Sequence, residues 1–381
     1  MAHYKMSDVV TEVNERENNP ANSKYERFVG LEHYVSGEVV IRNYGSTERL
    51  ESTMKVFQAG DILVARRNVY LKRASTVDFD GLTSGDSIVL RAKDPDIGRI
   101  LPFVLNTDAF WDFADQYSDG TMSKRLSPKT LMTFEFDLPD GEELSKLADI
   151  LWAANDTRES YQALLKQADE LVKSQFIELF GDPNINPKGW KQSTVGQECY
   201  YIKDGPHKSP PYIDDPTGIP FISTRNVVNG DGIDWSTAKY ISEESYRECI
   251  KKCKPEKGDI LYSKGGTTGI AKLVDTDIKF ANWVHVAVLK FGSNLDGKFF
   301  ECMLNTDYCY AQSQQLTKGV VNRDFVLSAI AKVKIIVPPL PLQLEFVDFI
   351  KQLDKSKFEL KQAIANISEL MKSLIQQDFS N

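Results

Sequence analysis

Apolar residues recur along this chain in two rhythms, and each rhythm occurs twice. In residues 142–180 they fall at Leu144, Leu147, Leu151, Ala154, Tyr161, Leu165, Ala168, Val172 and Leu179, with the alternating steps of three and four that a coiled-coil seam requires. Residues 341–379 repeat the pattern with Phe346, Ile350, Leu353, Leu360, Ile364, Ile367, Met371 and Leu374. Each segment has a proline near its start, Pro139 or Pro341, and none further in, so each is expected as one uninterrupted helix. Ahead of each helix the rhythm shortens. "DILVA", "DSIVLRA", "DILYS" and "HVAVLKF" are brief apolar runs between Gly- and Asn-rich turns, the texture of strands.

The recurrence extends beyond rhythm. "GDIL" occurs at Gly60 and again at Gly258, "LNTD" at Leu105 and Leu304, and "ELVKSQFIELF" ending at Phe180 parallels "ELMKSLIQQDF" ending at Phe379. "RFVGLEHYVSGEV" around Phe28 parallels "PFISTRNVVNGDG" around Phe221, and "DGTMSKRLSP" around Gly120 parallels "KGVVNRDFVL" around Gly319. The offset is 193 residues at Phe28/Phe221, 198 at GDIL and a constant 199 from LNTD onward. The chain is therefore a tandem duplication whose length differences lie in the first half of each unit. That period is far too long for a solenoid, so each unit is a domain in its own right. "GDPNINPKGW", Gly181 to Trp190, is rich in structure breakers and marks the boundary.

A helix of this length spans about 58 Å at roughly 1.5 Å per residue. Such a helix cannot hide its apolar stripe against its own small domain, so the two are expected to pair with each other. The predicted fold is mixed α/β (α+β): two strand-rich domains, residues 1–140 and 181–340, separated by a coiled-coil spacer of antiparallel helices, 141–180 and 341–381, with pseudo-twofold symmetry. Arg158 and Lys357 interrupt the seam one repeat apart. Either each carries its charge out of the seam on a long stem and helps set register, or both mark locally exposed turns.

At 381 residues and 41% hydrophobic content, the chain can fill two or three cores. No apolar run is long enough to span a bilayer and the first twenty residues lack a secretory pattern, so a cytoplasmic location is expected. The five cysteines lack zinc-site spacing and are expected as incidental thiols. The net charge of −8 speaks against a simple nucleic-acid wrapper, but residues 142–180 hold eight acidic and four basic side chains, so part of the acid lies on the spacer.

Basic and amide residues cluster where the end domains' turns emerge. In the first, Arg66, Arg67 and Asn68 follow GDIL, and Lys124 and Arg125 follow the "DGTMS" turn. In the second, Lys264, Gly265 and Gly266 follow GDIL, Thr224, Arg225 and Asn226 follow Phe221, and Lys318 and Arg323 bracket "GVVN". Arg, Lys and Asn read base edges by paired hydrogen bonds, and Gly allows close backbone approach to phosphate; the same residues also suit ordinary solvated loops. His207 and Lys208, in "KDGPHKSPPY", either donate to DNA or belong to an exposed structural turn. Catalytic signals are weak. "SPPY" resembles the tetrapeptide of amino-methyltransferases but has no glycine-rich nucleotide loop beside it, and "KGGTTG" lacks the ending of a phosphate loop. No catalytic, cofactor or metal residues are nominated in this chain.

Taken together, "KGDILYSKGG", "NPKGW", "DGPHKSPPY", "FISTRNV" and "VPPLPLQLEFVDFI", in this order and within a duplicated frame, make the chain resemble the specificity subunits (HsdS) of prokaryotic type I restriction-modification systems over nearly its whole length. The resemblance implies that each strand-rich domain is a target-recognition domain for one half of a bipartite double-stranded DNA sequence, with the helices as a ruler. It also implies two adenine methyltransferase subunits as partners, joined by restriction/translocase subunits, and no membrane. S-adenosylmethionine, ATP and magnesium would belong to those partners. The first unit has no counterpart to "DGPHKSPPY" and carries Arg66-Arg67-Asn68 where the second has Lys-Gly-Gly. A two-module protein-interaction scaffold without DNA contact is the competing expectation.

Overall fold

The Gly-Asp-Ile-Leu core forms the same structure at both of its occurrences: a left-handed glycine, a buried aspartate and a central strand. In this computed structural model, which describes residues 1–120, 123–319 and 323–379, Gly60 has φ 89° and Gly258 φ 91°, where a Cβ would be disfavoured. Asp61 accepts the Gln58 N–H at 2.8 Å and takes the Arg91 guanidinium on both oxygens at 2.7 Å. Asp259 accepts the Glu256 N–H at 2.7 Å and the Lys290 ammonium at 2.6 Å. The strands that follow, Ile62–Ala65 and Ile260–Ser263, are buried at every residue, which is why they read as continuous apolar runs and not as an alternation.

The chain divides into two units, Met1–Ala163 with Leu360–Asn381, and Leu164–Glu359. In the first, a four-stranded sheet has the order Val10–Glu12, Ser87–Ala92, Ile62–Ala65, Ala74–Thr76; in the second, the order is Cys199–Asp204, Val286–Phe291, Ile260–Ser263, Ala271–Leu273. All neighbours in both sheets are antiparallel. LNTD owes its recurrence to a helix start. Thr107 and Thr306 cap the helices Asp108–Gln116 and Asp307–Leu316, accepting the N–H of Phe110 and Cys309. Asn106 and Asn305 tie the same junction to the edge strand by donating to the carbonyls of Ala74 and Ala271 at 2.7 and 2.9 Å.

The units differ in a second sheet. Both contain a parallel pair, Arg27–Val29 with Gly81–Thr83 and Ile219–Ile222 with Ala281–Asn282. Just before GDIL the first unit adds a further strand to that sheet, Met54–Phe57 paired antiparallel to Gly81–Thr83, where the second has a helix, Glu243–Lys252. The length differences of the duplication fall here, in the first half of each unit.

The long helices are Gly141–Phe180 and Leu340–Phe379, 40 residues each, and both units use part of each. In the first unit Leu144, Leu147, Ala148 and Leu151 share a core with Ile367, Met371 and Leu374. In the second, Val172, Phe176 and Phe180 share one with Phe346, Val347 and Ile350. Within each unit the start of one helix therefore packs with the end of the other, an antiparallel pairing. Phe176 and Phe180, which the heptad reading passed over, pack at 5.5 Å against Phe346 and join the helices to Phe299 of the domain.

Neither polar seam residue carries its charge out to water. The Arg158 side chain is 12% exposed and donates to Glu38 at 2.8 Å and to Asn155 Oδ1 at 2.9 Å. The Lys357 side chain is 11% exposed and lies 2.6 Å from Asp169 and 3.6 Å from Asp231. Glu38 follows the left-handed Gly37 and Asp231 the left-handed Gly230, so the two contacts are counterparts. A loop of each domain folds back over the seam, which both covers and neutralises the cation. That corrects the expected escape on a long stem and excludes locally exposed turns.

All five cysteines are free thiols, four of them buried. Burial pushes Cys253 up to about 11 and Cys199, Cys302 and Cys309 up to about 12, so they remain protonated and unreactive at neutral pH.

Candidate nucleic-acid interface

In each unit the segment after the central strand is bonded to the segment that precedes the short helix near the spacer. In the first unit the Asn68 N–H donates to the Lys124 carbonyl at 2.9 Å and the Leu126 N–H to that of Arg66 at 2.8 Å, with Arg67 bridged to Arg125. Arg66, Arg67, Asn68, Lys124 and Arg125 thus form one surface. In the second unit the Phe325 N–H donates to the Lys264 carbonyl at 2.7 Å and the Gly266 N–H to that of Arg323 at 3.3 Å. Lys318 is bridged to Asp324, as Asp119 is to Arg125 one repeat earlier. Thr121 and Met122 of the "DGTMS" turn, and Val320, Val321 and Asn322 of "GVVN", lie outside the described residues.

The first surface is cationic. Arg67 and Arg125, both about half exposed, share one carboxylate, Asp86, at 3.5 and 2.6 Å. Lys124 is held by Asp115 at 2.6 Å, and Asn68 accepts the Ser123 hydroxyl at 3.0 Å. Arg66 is half-buried, and its Nε has no partner among the described residues.

The second surface is more enclosed. Lys264 is 6% exposed, its ammonium set between Asp204 at 3.3 Å and Asp324 at 3.1 Å. Gly265 lies under the His285 ring, where a Cβ would fall 2.5 Å from ring carbons, so packing requires glycine there. Thr224 Oγ1 donates to the Gly265 carbonyl at 3.0 Å, bringing "STRN" against this loop. Asn226 is 1% exposed and is spent on the loop, accepting the Ser223 N–H at 2.9 Å and donating to the Asp234 carbonyl at 2.9 Å. Lys264 and Asn226 therefore shape the surface from beneath it, since their polar atoms are already paired inside. Arg225 is exposed and has no ion pair among the described residues, and His207, Lys208 and Lys318 are also exposed. Arg323 is half-buried against Gln314 and Thr268.

His285 and Asp86 occupy one position of the repeat, and each carbonyl accepts the N–H of the residue after the central strand, Lys264 at 2.9 Å and Arg66 at 3.0 Å. Burial, then the Lys264 charge, hold the His285 imidazole below its ordinary range, although Asp324 and Asp204 pull the other way. Neither residue stood out in the sequence, since both lie between GDIL and LNTD, where the offset is still changing; the matching backbone bonds pair them. Tyr212 of "SPPY" enters the strand Tyr212–Ile213, its ring 6.0 Å from Phe221 and capped by the Lys239 ammonium at 4.3 Å. Thr268 of "KGGTTG" is buried and bonded to Thr317 at 3.0 Å. Thr268 is thus packed structure, whereas Ser209, Pro211 and Tyr212 of "SPPY" stay exposed at the surface. Among the described residues no group of three or more His, Cys, Asp or Glu is placed to hold a metal ion, and no helix is long and apolar enough to cross a membrane.

Two sheet-rich regions joined to a pair of long packed helices are the architecture of type I restriction-modification specificity subunits, and the comparisons agree. Residues 187–369 match the Type I restriction modification DNA specificity domain family. The specificity subunit of type I restriction enzyme MjaIX from Methanocaldococcus jannaschii is 23% identical over 357 residues, 88% of this chain and 80% of that protein. The S subunit of a type I system from M. genitalium has the same fold, with a TM-score of 0.58 at 16% identity over 100% of this chain and 96% of that one. A chain from a structure describing assembly and conformational transition of the type I R-M system gives 0.55 at 19% identity, over 99% and 97%. The chain resembles an HsdS-like specificity subunit of a type I restriction-modification system.

Proposed function

We propose that this chain is the DNA-sequence-recognition subunit of a type I restriction-modification complex in a prokaryotic cytoplasm. Residues 1–140 read one half of a bipartite duplex target and residues 181–340 the other, while the helices, 141–180 and 341–381, set the distance between halves. Two adenine methyltransferase subunits dock on the chain and restriction/translocase subunits join them, bringing the sites for S-adenosylmethionine, ATP and magnesium. The exposed donors Arg67, Arg125, Arg225, His207, Lys208 and Lys318 are the candidate contacts, with Lys264 and Asn226 as supports.

The observation that carries this reading is one loop framework built twice with different side chains on it: two guanidiniums over Asp86 in one unit, glycines under His285 in the other. A shared frame with divergent tips suits two readers of different half-sites, whereas a symmetric scaffold would have no need to diverge there. Salt dependence tests it. Duplex binding by the full-length chain should weaken steeply with added salt, with a log–log slope of about −0.9 for each phosphate contacted. A chain that binds no duplex at low salt would instead be a protein scaffold.

A further inference from the structure

The loop after the central strand is built on one plan in both units. In the second it runs Gly265-Gly266-Thr267-Thr268-Gly269, with left-handed backbone at Gly266 (φ 72°) and Gly269 (φ 88°). In the first, the left-handed positions are Asn68 (φ 56°) and Lys72 (φ 46°), so the turn between them is one residue longer. Asparagine tolerates this conformation, but a lysine does so only where its surroundings impose it, because its Cβ crowds the backbone. Strain of this kind collects at functional sites.

The longer turn, Val69–Leu71, pushes a ring outward. Val69 is 2% exposed and plugged into the first unit's main core, and the Leu71 and Lys72 N–H groups each donate back across the turn at 2.9 Å. With its base fixed in this way, the turn holds Tyr70 65% exposed, and the hydroxyl has no partner among the described residues. At the matching place the second unit has only Thr267 and Thr268, of which Thr268 is buried. In the same loop, Arg67 shares the single carboxylate of Asp86 with Arg125, leaving surplus positive charge on this surface. A rigidly mounted tyrosine on a cationic surface suits a nucleobase: the ring offers an apolar contact to a thymine methyl or a base face, and the hydroxyl can bond a base edge.

We propose that Tyr70 is a specificity-determining base contact of the first recognition domain, with no counterpart in the second. The inference rests on the DNA-reading function proposed above. The test is selection from a pool of random-sequence duplexes by the full-length chain, comparing wild type with Tyr70→Ala and Tyr70→Phe. Wild type should enrich a two-part sequence. Tyr70→Ala should lose discrimination on the order of tenfold at one or two positions of one half, while the other half keeps its preference and serves as the folding control. Tyr70→Phe should keep the preference if the ring reads the base and lose it if the hydroxyl does; either supports the contact. Unchanged preferences in Tyr70→Ala, or equal loss at both halves, overturn the proposal and leave DNA reading intact. A wild type that enriches no sequence overturns both.

Discussion

Replacing Arg158 by Ala should destabilise the first unit far more than loss of a surface ion pair would. The guanidinium is 12% exposed, donates to Glu38 at 2.8 Å, and satisfies the carbonyl of Asn155, whose side chain is fully buried. Loss of a hydrogen bond between charged groups costs about 1.5–3 kcal/mol, and an orphaned buried amide oxygen adds about 1–3. Gln162 still donates to Glu38 at 3.2 Å, which holds the total toward the lower end, about 3 kcal/mol. Native-state hydrogen exchange reads this directly. The Leu63 and Val64 amides of the first unit should exchange roughly a hundredfold faster, while Leu261 and Tyr262 of the second stay unchanged and act as control. Arg158→Met with Glu38→Gln should recover the part of the loss due to an unpaired charge but not the part due to the orphaned Asn155 oxygen, since Met donates no hydrogen bond. Exchange within about threefold of wild type in Arg158→Ala would mean the pair is worth no more than an exposed one, below about 1 kcal/mol, and would refute the clamp.

Arg225→Ala should leave the unfolding midpoint unchanged and reduce preference for the second half-site by about 1–3 kcal/mol in competition binding; equal loss on specific and random duplex would make it a phosphate contact. Lys72→Gly should stabilise the first unit by roughly 0.5–1 kcal/mol in thermal unfolding, because the left-handed position suits glycine and the exposed pair with Asp108 contributes little; a lower midpoint would contradict the assigned backbone. His285 is held below 6.5, so the unfolded chain takes the proton first and the second unit loses stability as pH falls below 6.5. Among its charged neighbours, Lys264 and His207 favour the neutral ring, and Asp204 and Asp324 oppose it. His285→Gln should flatten that part of the stability profile, and an unaltered slope in denaturant melts at successive pH values would contradict the assignment.

The elements legible in the sequence were those fixed by local chemistry. The three–four rhythm located both long helices because a stripe of that period can be buried only against another helix, and the left-handed Gly60 and Gly258 mark GDIL as a turn feeding a strand. LNTD was visible as a repeat but not as a cap, since a Thr acts as a cap only where a helix begins behind it. The site was half legible. The cationic and amide turns could be named, but burial depends on partners distant in sequence. Lys264 is enclosed by Asp204 and Asp324, which lie 60 residues on either side of it, and Arg158 by Glu38 from the opposite end of its unit. The second sheet was illegible because it joins two- to four-residue strands too short to show a period. The Val69–Leu71 turn was hidden because its left-handed ends are not glycines.

Two domains that read two separated DNA sequences should direct methylation to a motif in two parts. The measurement is a map of the methylated adenines in genomic DNA exposed to the full-length chain together with its methyltransferase partner. The predicted result is methylation within one motif of two short defined halves at a fixed spacing, lost when the chain is omitted. Methylation at a single continuous motif, or a pattern unchanged without this chain, would contradict it.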